Sequence, residues 1–327
     1  MIRVVFAVFL LLPGALEAAC IGVDVRPDLD AAQRAELDQR LADMPYPAGN
    51  HWTATKGGQT LRIVGTFHLD DPRLDPVAAR LKPLIKQADR VMLEATDTEM
   101  TALQQAVASR PELMFITSGP TLIDLLPPEE WDELAKAAAA RGLPGFMVAK
   151  FQPWYLSIVL STPPCMAAEM QNGPRGLDHR IMKMAQAEGI PTQALEAYDT
   201  LFTIFGQDPL EEQVEMLRLG LVPPDGAENA FETLKLQYFE EAHGAAVELS
   251  RIVSRPLIDL PPEEFDAEYD KLMGAILTQR NIAWMDRILA ATDETVLIAV
   301  GAGHLSGEYG LLNLLAAEGY ALNREAF

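Results

Sequence analysis

Cations, cysteines and histidines are scarce in this 327-residue chain, which has 26 Lys and Arg against 47 Asp and Glu. The formal charge of −21 makes the surface repel phosphate backbones and anionic lipid, so nucleic-acid and peripheral-membrane partners are excluded. Two cysteines in a chain this long mean that folding depends neither on a disulfide lattice nor on a structural metal, because the hydrophobic content of 49% supplies a core. No tandem repeat, low-complexity tract or long linker is present. Walker A, Rossmann, Gly-x-Ser-x-Gly and His-Glu-x-x-His patterns are also absent, and with them four common signatures of nucleotide, acyl-transfer and zinc chemistry. The longest apolar run, Val4 to Leu12, is too short to span a bilayer, which takes roughly 20 residues.

That run follows Arg3 and precedes Pro13-Gly14 and the small residues Ala18-Ala19, the three parts of a secretory signal. Residues 1–19 are therefore expected to be a cleaved leader, cut just before or at Cys20, and the mature protein periplasmic or secreted with no transmembrane segment. Glu17 stands where a lipoprotein signal wants an aliphatic residue. In an oxidising compartment Cys20 and Cys165 are expected to pair. Cys165 follows Thr162-Pro163-Pro164, a stiff loop that suits a staple better than a nucleophile.

Three segments read as buried strands with polar ends: 61–65 running on to His68, 90–94, and 296–300 running on to His304. A weaker strand covers 192–196, and 320–322 is a candidate edge strand. Helical periodicity marks 75–88, 129–141, 178–188, 209–219, 228–253 and 263–291. Strands alternating with helices predict an α/β fold with a mostly parallel sheet. The chain from 20 to 327 is expected to be one domain, in which a largely helical stretch from about 98 to 293 forms an insertion or cap.

Three histidines close a Gly-x-x-His tetrad: Gly65 to His68, Gly176 to His179 and Gly301 to His304. Composition alone gives about 0.3 such tetrads, so three call for a reason. The first and last each leave the carboxyl end of an apolar strand, where parallel sheets bind ligands and where glycine allows close backbone approach. Glu94 ends a third strand, and a carboxylate after three buried residues requires a partner or a cation. His68, Glu94 and His304 are thus expected to converge, and two imidazoles with one carboxylate suit zinc, manganese, cobalt or ferrous iron. His179 opens a helix. Asp178 beside it reads equally as a helix N-cap or as a site residue. His51 and His243 have no supporting context.

Arg280 falls on an apolar stripe of Phe265, Tyr269, Leu272, Ile276, Trp284 and Ile288, where a guanidinium requires an anion. Two readings stand side by side: a structural partner of Glu94 or Glu196, or a group holding a substrate carbonyl or carboxylate. Asn281 could serve the same site.

In this order the Gly65 to His68 tetrad, Leu93-Glu94, Gly176-Leu177-Asp178, Leu195-Glu196, Arg280-Asn281 and Val300 to Leu305 resemble the TraB/GumN family, which is related to the Tiki proteins. The resemblance spans about residues 20 to 325. It implies a fold like that of erythromycin esterase and ChaN-type proteins, and a divalent-metal-dependent hydrolase acting on an amide, peptide or ester bond. Carried over to this sequence, the metal (Mn, Co or Zn) is expected at His68, His304 and Glu94, with Glu94, Arg280 and Asn281 as catalytic residues. The substrate is expected to be a small molecule or peptide. Two alternatives from other classes are a haem- or metal-binding periplasmic protein without turnover and a non-catalytic helper in exopolysaccharide biosynthesis or export.

Overall fold

The computed structural model describes residues 20–166, 173, 175–206, 208–219, 224–258, 260–292 and 294–327. The expected leader, 1–19, lies outside them, as does Asp293 at the far bound of the expected insertion. Six strands form one sheet: β1 (His51–Lys56), β2 (Gln59–Thr66), β3 (Arg90–Leu93), β4 (Thr192–Ala194), β5 (Thr295–Gly301) and β6 (Ala321–Arg324), in the order β4-β3-β5-β2-β1-β6. The four strands from β4 to β2 are parallel, and β1 pairs antiparallel with both β2 and β6. The fold is therefore mixed α/β with a mostly parallel sheet.

Among the described residues, the helices of seven or more residues are α1 (Ala31–Ala42), α2 (Leu74–Lys86), α3 (Asp97–Ser109), α4 (Pro128–Ala139), α5 (Pro153–Ser161), α6 (Leu177–Ala187), α7 (Leu210–Leu219), α8 (Pro224–Phe239), α9 (His243–Ser254), α10 (Pro262–Met273), α11 (Gln279–Leu289) and α12 (Leu311–Ala317). Alternation along the strands decides which helices cover which face. Val64, Val91, Leu93, Leu297 and Ala299 face one side, with Leu81 and Ile85 of α2 and Leu177 and Ile181 of α6. Leu61, Ile63, Met92, Val296, Ile298 and Val300 face the other, with Trp284 and Ile288 of α11 and Leu311 and Leu315 of α12. A third core lies within the long helical stretch and joins Leu134 of α4, Leu156 and Leu160 of α5 and Leu217 of α7. Only part of that stretch has its own core, since β4 enters the sheet and α6 and α11 pack on it.

Three local features depart from the expected elements. β1 was not among the expected strands, although Gly57-Gly58, with φ of 57° and 94°, makes the two-residue turn of a hairpin. The expected helix 228–253 is two helices, α8 and α9, because Glu241 takes a left-handed φ of 58°. Gly244 then lies so close to Met44 and Pro47 that a Cβ would reach Met44 Sδ at 2.6 Å. The expected helix 263–291 contains a π-helical turn, Gly274–Thr278, between α10 and α11.

Cys20 and Cys165 form the expected disulfide, closing a span of 145 residues. In the chain-entropy account, a loop of that length contributes roughly 5 kcal/mol at most. Among the described residues, no helix is long and apolar enough to cross a membrane.

Candidate functional site

The parallel register brings the strand ends into line. Thr66 of β2 pairs with Gly301 of β5, Leu93 of β3 with Ala299, and Leu93 with Ala194 of β4. Chain leaving these four ends carries His68, His304, Glu94 and Glu196 along one edge of the sheet. His68, Glu94 and His304 come to a single point at Gly301. A Cβ placed there would lie 3.2 Å from His68 Nε2, 3.3 Å from Glu94 Oε1 and 3.6 Å from His304 Cδ2. Glycine at this position is what lets the three side chains meet.

The other two tetrad glycines are also close-approach residues. A Cβ on Gly65 would strike Leu305 at 2.8 Å, and one on Gly176 would overlap the His68 carbonyl at 2.3 Å. Gly176 lets the start of α6 rest on the His68 backbone, with Leu177 N–H donating to the Phe67 carbonyl at 2.8 Å. Asp178 Oδ2 thereby comes within 3.4 Å of His68 Nδ1. The N-cap of α6 is Gly176, so Asp178 faces the site from the first turn instead of capping the helix. Its Oδ1 is buried with no hydrogen-bond partner among the described residues. The third tetrad therefore contributes its aspartate, and not His179, to this edge.

Electrostatics separates the two histidines. Neighbouring atoms strip water from the His68 ring, which by itself lowers its pKa. The hydrogen bond to Asp178 and the charges of Glu94 and Asp178 outweigh that and hold it up at about 9, although 59% of the side chain remains open to solvent. His304 is buried, and burial together with Arg280 and the charge of His68 pushes its pKa down to about 4 against the pull of Glu94. Its tautomer is set by its surroundings. Nδ1–H donates to Asn281 Oδ1 at 2.7 Å, which leaves Nε2 to accept from Arg280 Nη1 at 3.2 Å. Asn281 is spent on holding this ring, because its Nδ2 donates to the His304 and Tyr309 carbonyls. The Trp284 ring lies against the imidazole, tilted by 40°, with centroids 4.4 Å apart.

Glu94 is nearly buried, which on its own would raise its pKa. His304, His68, Arg280 and the Gly301 N–H together bring it down to about 2. Gly301 N–H donates to Oε1 at 2.6 Å and Arg280 Nη2 to Oε2 at 2.6 Å. Arg280 also grips Glu196 in a fork, Nε to Oε2 at 2.8 Å and Nη2 to Oε1 at 2.9 Å. With Nη1 donating to the Ile276 carbonyl at 3.0 Å, its five N–H groups are all engaged. Arg280 is thus the structural partner of both Glu94 and Glu196. A π-helical turn, Gly274–Thr278, lies just before it, a feature often found where a helix serves a site. Trp284 Nε1 completes the shell of Glu196 at 3.1 Å.

His51 and His243 lie elsewhere. His51 Nδ1 meets the Ala326 carbonyl at 2.9 Å, and His243 is buried between Asn50 Oδ1 and the Tyr46 carbonyl. Sequence reasoning left two contributors unassigned. Trp284 read as one more apolar residue on the stripe. Tyr238, inside an amphipathic pattern, donates its hydroxyl to the Gly65 carbonyl at 3.1 Å and stacks on Phe67.

The fold and this edge define an α/β protein whose candidate site unites two histidines, two glutamates, an aspartate and an arginine. The sequence model of the TraB/PrgY/gumN family matches residues 50–324, and the chain belongs to that family. It is similar to "Uncharacterized protein YbaP" of Escherichia coli (strain K12), 23% identical over 282 residues covering 82% of this chain and 94% of that one. The protein of the same description from Shigella flexneri matches with the same identity and coverage.

Proposed function

We propose that this chain is an exported divalent-metal-dependent hydrolase of an amide, peptide or ester bond. The observation that carries the reading is the convergence of His68 Nε2, Glu94 Oε1 and His304 on Gly301. The donor set suits a cation, because Asn281 holds the His304 proton on Nδ1 and so leaves Nε2 as a lone pair, as metal-ligating histidines require. Among the described residues, no three acidic, histidine or cysteine side chains already stand as a closed cage, and Arg280 shares His304 Nε2. Binding at His68, His304 and Glu94 therefore has to open that contact. Manganese, cobalt or zinc held by His68, His304 and Glu94 would supply an acidified water.

The chain's own groups do the rest. Asp178 fixes His68 so that Nε2 faces Gly301. Glu94, held ionised, contributes negative charge at the reacting point. Arg280 positions Glu94, and the Nη1–H released from His304 is its donor for a developing oxyanion. The export half of the proposal rests on the leader-like residues 1–19 and on the Cys20–Cys165 disulfide, which an oxidising compartment favours. One domain over 20–327, with kinship to the erythromycin esterase and ChaN-type fold, belongs to the same proposal.

The test is metal analysis of the mature protein beside His68→Ala and His304→Ala, with ester and peptide hydrolysis measured before and after chelation. Stoichiometric metal in the parent, its loss in both variants and chelator-sensitive hydrolysis are expected. Metal-free parent protein that hydrolyses nothing removes the proposal, and retained metal without turnover leaves a binding protein.

A further inference from the structure

Away from the Gly301 edge, a half-open cavity of about 490 Å³ lies along the α8–α9 hairpin. Leu160 at the end of α5 and Val25 of the N-terminal segment flank it, and none of the residues around Gly301 lines it. Its walls are largely apolar, with Phe231, Ala246, Leu249 and Val253 among them, and no charged side chain lines it among the described residues. The polar atoms are few and mostly committed: Thr233 Oγ1 accepts from Val25 N–H and donates to the Asn229 carbonyl, while Asn229 Oδ1 accepts from Val23 N–H.

Three serines, Ser161, Ser250 and Ser254, add hydroxyls to the lining, but the buried side chain that stands out is Gln237. The residue is 98% buried and lines the cavity, and among the described residues nothing hydrogen-bonds its side-chain amide. A buried primary amide left unpaired is costly, and here its one open side is the cavity. Leu234 and Leu257 line the same cavity and are exposed, so the mouth is greasy as well. A volume of this size, largely apolar walls and a few polar groups, with Gln237 the buried one that lacks a protein partner among the described residues, are what a small-molecule site looks like.

We propose that this cavity binds an uncharged single-chain acyl compound, its chain along Phe231, Leu249 and Val253 and its ester, amide or hydroxyl head on the Gln237 amide. The absence of a lining cation favours a neutral head over a carboxylate, whose desolvation nothing there would offset. Val25 of the N-terminal segment lines one side, and that segment is anchored by the Cys20 disulfide and by the Val23 and Val25 hydrogen bonds to α8.

The experiment uses the oxidised mature protein with the neutral fluorophore N-phenyl-1-naphthylamine, displaced by monolauroylglycerol or by laurate. One saturable site per chain is expected, with monolauroylglycerol displacing at concentrations about tenfold below laurate. Gln237→Leu should keep fluorophore binding and weaken displacement by monolauroylglycerol about fivefold, the worth of one hydrogen bond. Ala246→Phe should abolish binding. Val253→Trp is the second filling variant should the first fail to fold, with circular dichroism checking both. Unsaturable fluorescence, binding untouched by a folded filling variant, or laurate competing as well as the monoglyceride would overturn the proposal. Hydrolysis is not read, so these outcomes are separate from the fate of the metal site.

Discussion

The turns after β2 and β5 have the same wording, Gly-x-x-His, and opposite chemistry. His68 stands at the rim with Asp178 behind it and holds its proton up to about pH 9. His304 lies under Trp284 and Asn281, with Arg280 beside it, and stays neutral down to about pH 4. A tetrad specifies where an imidazole leaves the sheet. Burial and neighbouring charge then specify whether it is a cation or a lone pair. Without a metal the site thus pairs a protonated and an unprotonated imidazole, both at Gly301, and a metal bound there would have to displace the His68 proton.

The largest expected effect comes from removing the group that touches both sides of this contrast. Arg280→Ala leaves Glu94 and Glu196 without their cation in a buried place, at a cost of roughly 3 kcal/mol or more. It also takes away a positive charge that lowers the pKa of both His304 and His68. Arg280→Lys should restore part of the stability and less of the activity, because lysine lacks the fork. Unchanged melting in Arg280→Ala would show that the pairing carries no weight.

Next in size is the acid limb of stability. The folded-state pKa of His304, about 4, lies below its ordinary value of about 6.5. Its contribution is therefore present above pH 6.5 and lost as pH falls toward 4, on the order of 3 kcal/mol. Glu94, with its pKa brought down to about 2, contributes above about pH 4.5 and loses that contribution as pH falls through 2. Denaturant melts of chelator-treated protein between pH 3 and 7 should show the upper part of this limb vanish in His304→Gln. A parent with flat stability over that range contradicts a neutral buried His304.

The smallest effect in stability, though sharp in titration, belongs to Asp178→Asn. His68 has a raised pKa, so its contribution is complete below about pH 6.5 and is lost as pH rises through 9. Solvent exposure of the ring keeps the energy small. Proton-detected NMR titration of the His68 ring should show its midpoint fall toward the ordinary range in Asp178→Asn. A midpoint that stays near 9 would assign the whole shift to Glu94.

Much of the frame was legible in sequence. Val296 to Val300 and Leu61 to Gly65 are apolar runs with polar ends, and runs like these are buried strands of a parallel sheet. The six strands include all five expected ones, and the disulfide is the expected pairing of the two cysteines. β1 escaped because His51-Trp52-Thr53-Ala54-Thr55-Lys56 is half polar, and its signal lay in the Gly57-Gly58 turn. The split of 228–253 and the π turn at Gly274–Thr278 escaped because apolar periodicity tolerates one bad dihedral or one extra residue. In the site, His68, Glu94 and His304 were read as strand-end residues. Asp178 was equally an N-cap on paper, and only the contact of Gly176 with the His68 backbone decided between them.

Local sequence alone determined the strand ends and which chemical groups they carry, since apolar period and glycine placement act over a few residues. Strand order was decided by the tertiary structure, with β5 inserted between β2 and β3 although it is more than 200 residues away along the chain from either. That insertion brings His304 between His68 and Glu94 and sets Arg280 against two carboxylates. Charge states follow from it, because Coulomb energies and desolvation depend on separations of a few ångströms that no spacing along the chain encodes.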